Sequence, residues 1–331
     1  MLLIIFILGR NLKITMENKV FLVTGGLGFI GKHFIEKCLK DGHSIINIDC
    51  YTYAADRKAS LEFKKNPNYT EAREYISNLG YLPICDYVVH FAAESHVDNS
   101  ISNSKKFVET NINGTHHILE LLKNIHPSHR PKLIHISTDE VYGDSLTHKF
   151  TEEDKLNPSS PYSASKAAAD QLVISYGRTY DINYNIIRMT NCYGHNQYPE
   201  KLIPTICSCI YKDTPIPVHG DGSYIRTWLH VTDAVNGILT VIKDGYHNKI
   251  YNIAGDFSFS NLEIIDLFIK AAKKPHNPFI KYVENRKGQD IAYKINDWKI
   301  RELGWNPKIN IYEEAANIYK QFDLKRFITK T

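Results

Sequence analysis

Lys19-Val20-Phe21-Leu22-Val23-Thr24-Gly25-Gly26-Leu27-Gly28-Phe29-Ile30-Gly31 writes a strand, a turn and the start of a helix without a break. The run from Lys19 to Thr24 is short, β-branched and apolar, the pattern of a strand buried on both faces of a parallel sheet. Apolar residues then recur at helical spacing between Gly28 and Lys40 (Ile30, Phe34, Ile35, Cys38, Leu39). Asp41-Gly42 stops that helix, and Ser44 to Asp49 reads as the next strand. This is a βαβ unit.

Working outward, buried-type strands are expected at 86–91, 132–137 and 185–189, separated by helices near 104–123 and 162–178. Alternating strands and helices predict an α/β fold built on a doubly wound parallel Rossmann sheet. We expect residues 16–190 to form the dinucleotide-binding domain. Residues 191–331, richer in Pro and Gly (Pro199, Pro204, Pro215, Pro217, Gly220, Gly222), are expected to form mainly a smaller, interleaved C-terminal substrate lobe. Helical patterns at 231–243, 261–273 and 312–321 predict segments that return to the sheet. Met1 to Gly9 are almost wholly apolar but too short to span a bilayer. With Met16 standing just before the first strand, residues 1–15 read as an extension outside the fold.

The 331 residues include 40 Lys plus Arg against 36 Asp plus Glu, a formal charge of +4 with no basic run, so a nucleic-acid partner is not expected. Six scattered cysteines lack C-x-x-C or metal-ligand spacing, which argues against disulfides and a metal site and for a reducing, cytoplasmic compartment. No membrane partner is expected either.

The glycine turn predicts the cofactor. Gly25, Gly28 and Gly31 read as G-x-x-G-x-x-G, and Gly26 to Gly31 also as G-x-G-x-x-G, between a strand and a helix as that fingerprint requires. Bare backbone at Gly25, Gly28, Phe29, Ile30 and Gly31 can approach a pyrophosphate at the positive end of the helix dipole. Asp49, 18 residues after Gly31 at the end of the second strand, can accept both ribose hydroxyls and would repel a 2′-phosphate, which favours NAD over NADP. The bland reading, a turn for chain reversal with Asp49 as an ordinary cap, leaves the strand and helix context unexplained.

Three more clusters carry chemistry. Tyr162-Ser163-Ala164-Ser165-Lys166 sets a phenol and an ammonium on one helix face. About 2.5 Tyr-to-basic pairs at that spacing are expected by chance, so the pair needs company. A phenol of pKa near ~10 serves as a base at neutral pH only where positive charge, from Lys166 and an oxidised nicotinamide, favours the phenolate. Ser137-Thr138-Asp139-Glu140-Val141-Tyr142-Gly143 follows a strand, at the carboxyl end where α/β sheets bind ligands. Acids there are usually solvated decoration, yet Asp139 and Glu140 in different environments could supply one acid and one base. His90-Phe91-Ala92-Ala93-Glu94-Ser95-His96-Val97-Asp98 is another strand end, whose small residues would line the nicotinamide path together with the segment around Thr110.

In their order, these motifs resemble the extended short-chain dehydrogenases/reductases from about Lys19 to Pro307. S-T-D-E-V-Y-G (137–143), A-A-E-S-H-V-D (92–98) and N-Q-Y-P-E-K-L-I-P (196–204) are similar to the nucleoside-diphosphate-glucose 4,6-dehydratases. The resemblance implies the following roles. Tyr162, with Lys166, takes the proton of the sugar 4-hydroxyl while NAD oxidises C4; Thr138 hydrogen-bonds the C4 oxygen; Glu140 removes the C5 proton; Asp139 protonates the departing 6-hydroxyl; and reduction at C6 regenerates a tightly held NAD. It adds Thr52, Ala92, Ala93, Ser95, Thr110, Tyr162 and Lys166, the last of which can hold the nicotinamide ribose, to the cofactor contacts. Substrate contacts fall on Ser95, Thr138, Asn191, Lys201, Leu202, Pro217, Arg226, Asn261, Arg286 and Tyr293. It further implies a homodimer joined through a four-helix bundle of the helices near 104–123 and 162–178.

The chain departs from the bacterial dTDP-glucose pattern at Arg286-Lys287-Gly288-Gln289-Asp290, Thr227 and Cys192, and its 55–85 stretch is short. G-D-G-S-Y-I-R (220–226) and N-Q-Y-P-E-K resemble UDP-glucose 4,6-dehydratases, so UDP-glucose is expected over dTDP-glucose. Two other readings stay open: an NAD-dependent 4-epimerase or UDP-glucuronate decarboxylase, which needs no Asp139, and a non-catalytic dinucleotide-sensing protein on the same fold.

Overall fold

Along β1 (Val20–Thr24), Phe21 and Val23 enter one core and Leu22 the core on the opposite face. β4 (Tyr87–His90) divides Val89 from Val88 in the same way, and β5 (Lys132–Thr138) divides Ile134 and Ile136 from Leu133. Successive side chains of a strand alternate faces, so a strand covered on both sides is apolar at nearly every position. This is why the sequence shows unbroken apolar runs here. The computed structural model describes residues 18–273, 280–285 and 287–323; the 1–15 extension and Arg286 of the sequence expectations lie outside the described residues.

These strands share a seven-stranded parallel sheet with β2 (Ser44–Asp49), β3 (Tyr69–Arg73), β6 (Tyr184–Met189) and β10 (Lys249–Ile253), in the order β10-β6-β5-β4-β1-β2-β3. On one face the helices Phe29–Lys40 and Val231–Asp244 bury Phe34, Ile35, Val235 and Ile238. On the other, Gly114–Lys123 and Pro161–Tyr180 bury Ile118, Leu122 and Val173. The sheet is thus doubly wound, as expected. The strand order reverses between β1 and β4, and the crevice at such a switch point, outside the strands' carboxyl ends, is where this architecture binds ligands.

Several features differ from the sequence expectation. β10 was not foreseen. Of the three late helical segments expected to return to the sheet only Val231–Asp244 packs on it, whereas Asn261–Ala271 and Ile311–Lys320 pack in the core of the smaller lobe. β3 was not foreseen, because as an edge strand it leaves Thr70, Ala72 and Arg73 partly or fully in solvent and so lacks the apolar run of its neighbours. The 104–123 helix is not continuous: a turn at Lys105–Phe107 passes through a π-helical turn at Val108–Asn113 before Gly114–Lys123 begins. The widened turn aims Asn111 inward, where its amide donates to the Glu94 carbonyl (3.0 Å) and to Ser165 Oγ (2.8 Å).

A second group of strands builds the smaller lobe. β9 (Ile225–His230) pairs with β7 (Asn191–Tyr193) and β11 (Phe257–Ser260), while β8 (Ile216–His219) pairs with β12 (Ile280–Val283). Its core gathers Trp228, Ile203, Ile206, Phe259 and Phe268, with Ile311 and Ile318 from the late helix Ile311–Lys320.

Candidate active site

The carboxyl ends of the sheet open into a cleft of about 1220 Å³. Its glycine wall follows from sterics. Gly25 sits at φ +68°, and a Cβ there would come 2.6 Å from the Ala92 Cα; a Cβ on Gly31 would lie 2.7 Å from the Gly25 carbonyl oxygen. Only glycine lets the turn press against the end of β4 and lets the helix start against the turn. The cradle a side chain would fill is therefore kept open, and it fits a dinucleotide phosphate. At the end of β2, Asp49 accepts hydrogen bonds from the backbone N–H of Leu27 (2.9 Å) and of Tyr51 (2.8 Å), which aims its carboxylate at this turn.

The opposite wall is built by β5 and the helix Pro161–Tyr180. That helix starts with Pro161 after a capping box, in which the Ser160 hydroxyl accepts from the Ser163 N–H and the Ser163 hydroxyl accepts from the Ser160 N–H. The cap fixes where the first turn lies, and with it Tyr162 and Lys166 on the face toward the sheet. Lys166 is 4% exposed and its ammonium donates to the Ile136 carbonyl at 2.7 Å. Burial pulls its pKa down to about 8, against the opposing charge of Asp170. Tyr162 is hydrogen-bonded to Thr138; burial and the neighbouring Glu140 raise the phenol's pKa. Positive charge brought to the site is what favours its ionisation.

Thr138 ends β5 and caps the 3₁₀ turn Asp139–Tyr142, accepting from the Glu140 N–H at 3.3 Å. Its hydroxyl also donates to Asp139 Oδ1 at 3.3 Å, while Oδ2 of Asp139 is buried without a partner. Asp139 is 2% exposed; burial first, and the charge of Glu140 second, push its pKa up to about 8, with Arg226 opposing. This direction favours the protonated acid. Glu140 is only half buried. The adjacent carboxyls thus occupy different environments, which is how one site can hold both an acid and a base.

Every residue expected at the cofactor, from Gly25 to Thr110, and every expected catalytic residue lines this cleft, as do Ser95, Asn191 and Lys201 of the substrate set. Leu202, Pro217, Arg226, Asn261 and Tyr293 are not among its walls. Leu202 opens the helix Leu202–Lys212 directly after Lys201, Pro217 is exposed in β8, and Asn261 begins the helix Asn261–Ala271. The Arg226 guanidinium lies 4.3 Å from the centre of the Tyr293 ring, a pair close enough to act electrostatically on Asp139 and Glu140. Sequence reading missed Lys32 and Asp56, which also line the cleft. The available signal was a lysine immediately after Gly31, at the positive end of a helix dipole.

Comparison with known proteins agrees with this geometry. The sequence profile of a family described as GDP-mannose 4,6 dehydratase matches residues 22–318. The chain is 42% identical to the dTDP-glucose 4,6-dehydratase of Haemophilus influenzae over 91% of its own length and 97% of the relative's. It is 36% identical to a trifunctional enzyme of Arabidopsis thaliana whose first named activity is UDP-glucose 4,6-dehydratase, over 91% of this chain and 46% of that one. The crystal structure of a dTDP-glucose 4,6-dehydratase from Streptomyces venezuelae, solved with NAD bound, superposes with a TM-score of 0.88 at 35% identity, covering 92% of this chain and 96% of that one.

Proposed function

Because the chain belongs to the nucleoside-diphosphate-glucose 4,6-dehydratases of the extended short-chain dehydrogenase/reductase family, we propose that it removes one water from a nucleoside-diphosphate glucose, giving the 4-keto-6-deoxy sugar, with the residues in the following roles. The observation that carries the assignment is a buried Asp139, its pKa raised by burial and hydrogen-bonded by Thr138, beside a half-buried Glu140 at the cleft that Tyr162 also lines. A 4-epimerase or decarboxylase has no use for that acid.

NAD, held by the glycine cradle and Asp49, supplies a two-electron acceptor for C4 that is restored by reduction at C6. Tyr162 receives the proton of the 4-hydroxyl, and Lys166 provides the positive charge that makes a phenolate accessible. Thr138 donates a hydrogen bond to the C4 oxygen and so strengthens the electron withdrawal that acidifies the C5 proton. Glu140 removes that proton. Asp139 gives its own proton to the 6-hydroxyl, which leaves as water, and Glu140 returns a proton to C5. Closing the redox cycle within one active site supports retention of the dinucleotide between turnovers.

On the nucleotide, the names of the more similar relatives support dTDP-glucose as the substrate to test first. UDP-glucose, favoured by 220–226 and 196–201, is the second reading; the two nucleotides differ by the thymine methyl, worth about 10–200-fold in discrimination, and by the 2′-hydroxyl that only the uridine nucleotide carries. Incubation of the purified protein with each sugar nucleotide, without added NAD, should give a product lighter by one water. An unchanged mass with NAD supplied, or a 4-epimer, would overturn the assignment. We further propose a cytoplasmic homodimer through the helices Gly114–Lys123 and Pro161–Tyr180. Exposed Ile101 and Val108 beside them and six unpaired cysteines support this reading. Sedimentation at micromolar concentration should give twice the chain mass; monomer alone would refute the dimer.

A further inference from the structure

Lys32 is a cation placed where helix physics disfavours one. It follows Gly31 in the first turns of the helix Phe29–Lys40, whose N-terminus already carries positive partial charge. Its ammonium is satisfied by Asp56 Oδ2 at 2.8 Å and by the backbone carbonyl of Asn196 at 2.7 Å. The two side chains are only 7% and 8% exposed. A buried ion pair adds little net stability but fixes position, since breaking it leaves a buried charge uncompensated.

What it fixes is a segment from the other lobe. Residues 194–201 run from β7 to the helix Leu202–Lys212 and touch three structures bounding the cleft. Beside the Lys32 bond, His33 Nε2 donates to the His195 carbonyl at 3.2 Å on the same helix. The Tyr198 ring meets Tyr53, in the loop after β2, edge-on at 5.2 Å between centroids. Lys201 Nζ donates to the Ser95 carbonyl, after β4, at 3.0 Å. Lys32, Asp56 and Asn196 all line the cleft that holds the glycine cradle.

We propose that Lys32, acting through Asp56 and the Asn196 carbonyl, fastens the 194–201 segment across the cleft and is thereby a positioning residue for retention of NAD. This deepens the functional reading above and rests on it. The rival explanation is that the Lys32 charge simply attracts the dinucleotide phosphates. The two differ in sign at Asp56: removing that carboxylate leaves Lys32 less neutralised, so attraction predicts tighter NAD whereas a fastened strap predicts faster loss.

The experiment follows release of NAD from the NAD-loaded protein after rapid dilution, with no sugar present. Asp56→Asn keeps an oxygen to cap the helix Arg57–Phe63, where Asp56 now accepts from the Ala59 N–H at 3.1 Å, so its fold is safeguarded. We expect Asp56→Asn and Lys32→Met each to speed release by about tenfold or more, and the double variant to be no faster than the quicker single one. Release as slow as, or slower than, the unsubstituted protein in Asp56→Asn would overturn the strap. Additive effects in the double variant would overturn it too. A failure of the unsubstituted protein to carry or bind NAD would instead overturn the functional reading beneath it.

Discussion

The hydroxyl of Thr138 donates to the carboxyl of Asp139 at 3.3 Å while the same Thr138 is hydrogen-bonded to the phenol of Tyr162. One hydroxyl therefore couples the group proposed to oxidise with the group proposed to eliminate. Substitutions on its two sides should stop the reaction at different points.

Asp139→Asn should leave oxidation at C4 possible and lower complete turnover by about 10²–10⁴-fold, the usual weight of a positioned acid. Rapid quenching with mass analysis should detect keto sugar that has kept its 6-hydroxyl. Normal turnover would contradict the role given to this acid.

The same variant should be more stable than the parent without ligands, with a defined pH dependence. The folded protein holds the Asp139 proton up to about pH 8, whereas an unfolded carboxyl loses it near its ordinary value of 3.8. The contribution of the protonated acid is whole below that lower value and is lost as pH rises toward 8. Urea denaturation at pH 5 and pH 7.5 should show the variant's advantage widening by up to about 1.4 kcal/mol per pH unit. A constant gap would mean that the carboxyl is ionised in the fold.

Lys166→Met should trade activity for stability. The folded pKa of about 8 lies below the ordinary 10.5, so below pH 8 the fold bears the full cost of a buried ammonium, and that cost fades as pH climbs toward 10.5. The variant's stability advantage should therefore be largest at neutral pH and shrink in alkali, while turnover falls. Tyr162→Phe, by contrast, should retain NAD and lose about 10²–10⁴-fold in kcat.

Beneath the site, Asp170 and Arg188 form a buried ion pair at 2.9 Å, with Arg188 also donating to the Tyr142 hydroxyl at 2.8 Å. Asp170→Ala should cost about 3–5 kcal/mol, because it strands a buried guanidinium. Chemical denaturation measures this directly, and a loss below about 1 kcal/mol would show that the arginine finds water or another partner.

Gly31→Ala should abolish NAD binding more completely than any substitution at Asp49. The new Cβ would meet the Gly25 carbonyl at 2.7 Å, and backbone rather than a flexible side chain would have to move. Equilibrium dialysis with NAD tests this; near-normal affinity would show that the helix can shift away from the turn.

The βαβ unit, the glycine cradle, the placement of Tyr162 and Lys166 four residues apart in one helix and the candidacy of the Asp139–Glu140 pair were legible in the chain before folding, because each depends on spacing within one strand, turn or helix. Periodicity also revealed the inner strands buried on both faces, since burial demands apolar residues at nearly every position, while the two edge strands β3 and β10 escaped because an edge strand makes no such demand. Only the tertiary structure decided that Asp139 is the deeply buried carboxyl, its pKa raised by burial against the opposing charge of Arg226 far along the chain, because a pKa is set by burial and by neighbours. It alone joined Lys32 to Asn196, 164 positions away, for a long-range contact leaves no periodic trace in the sequence.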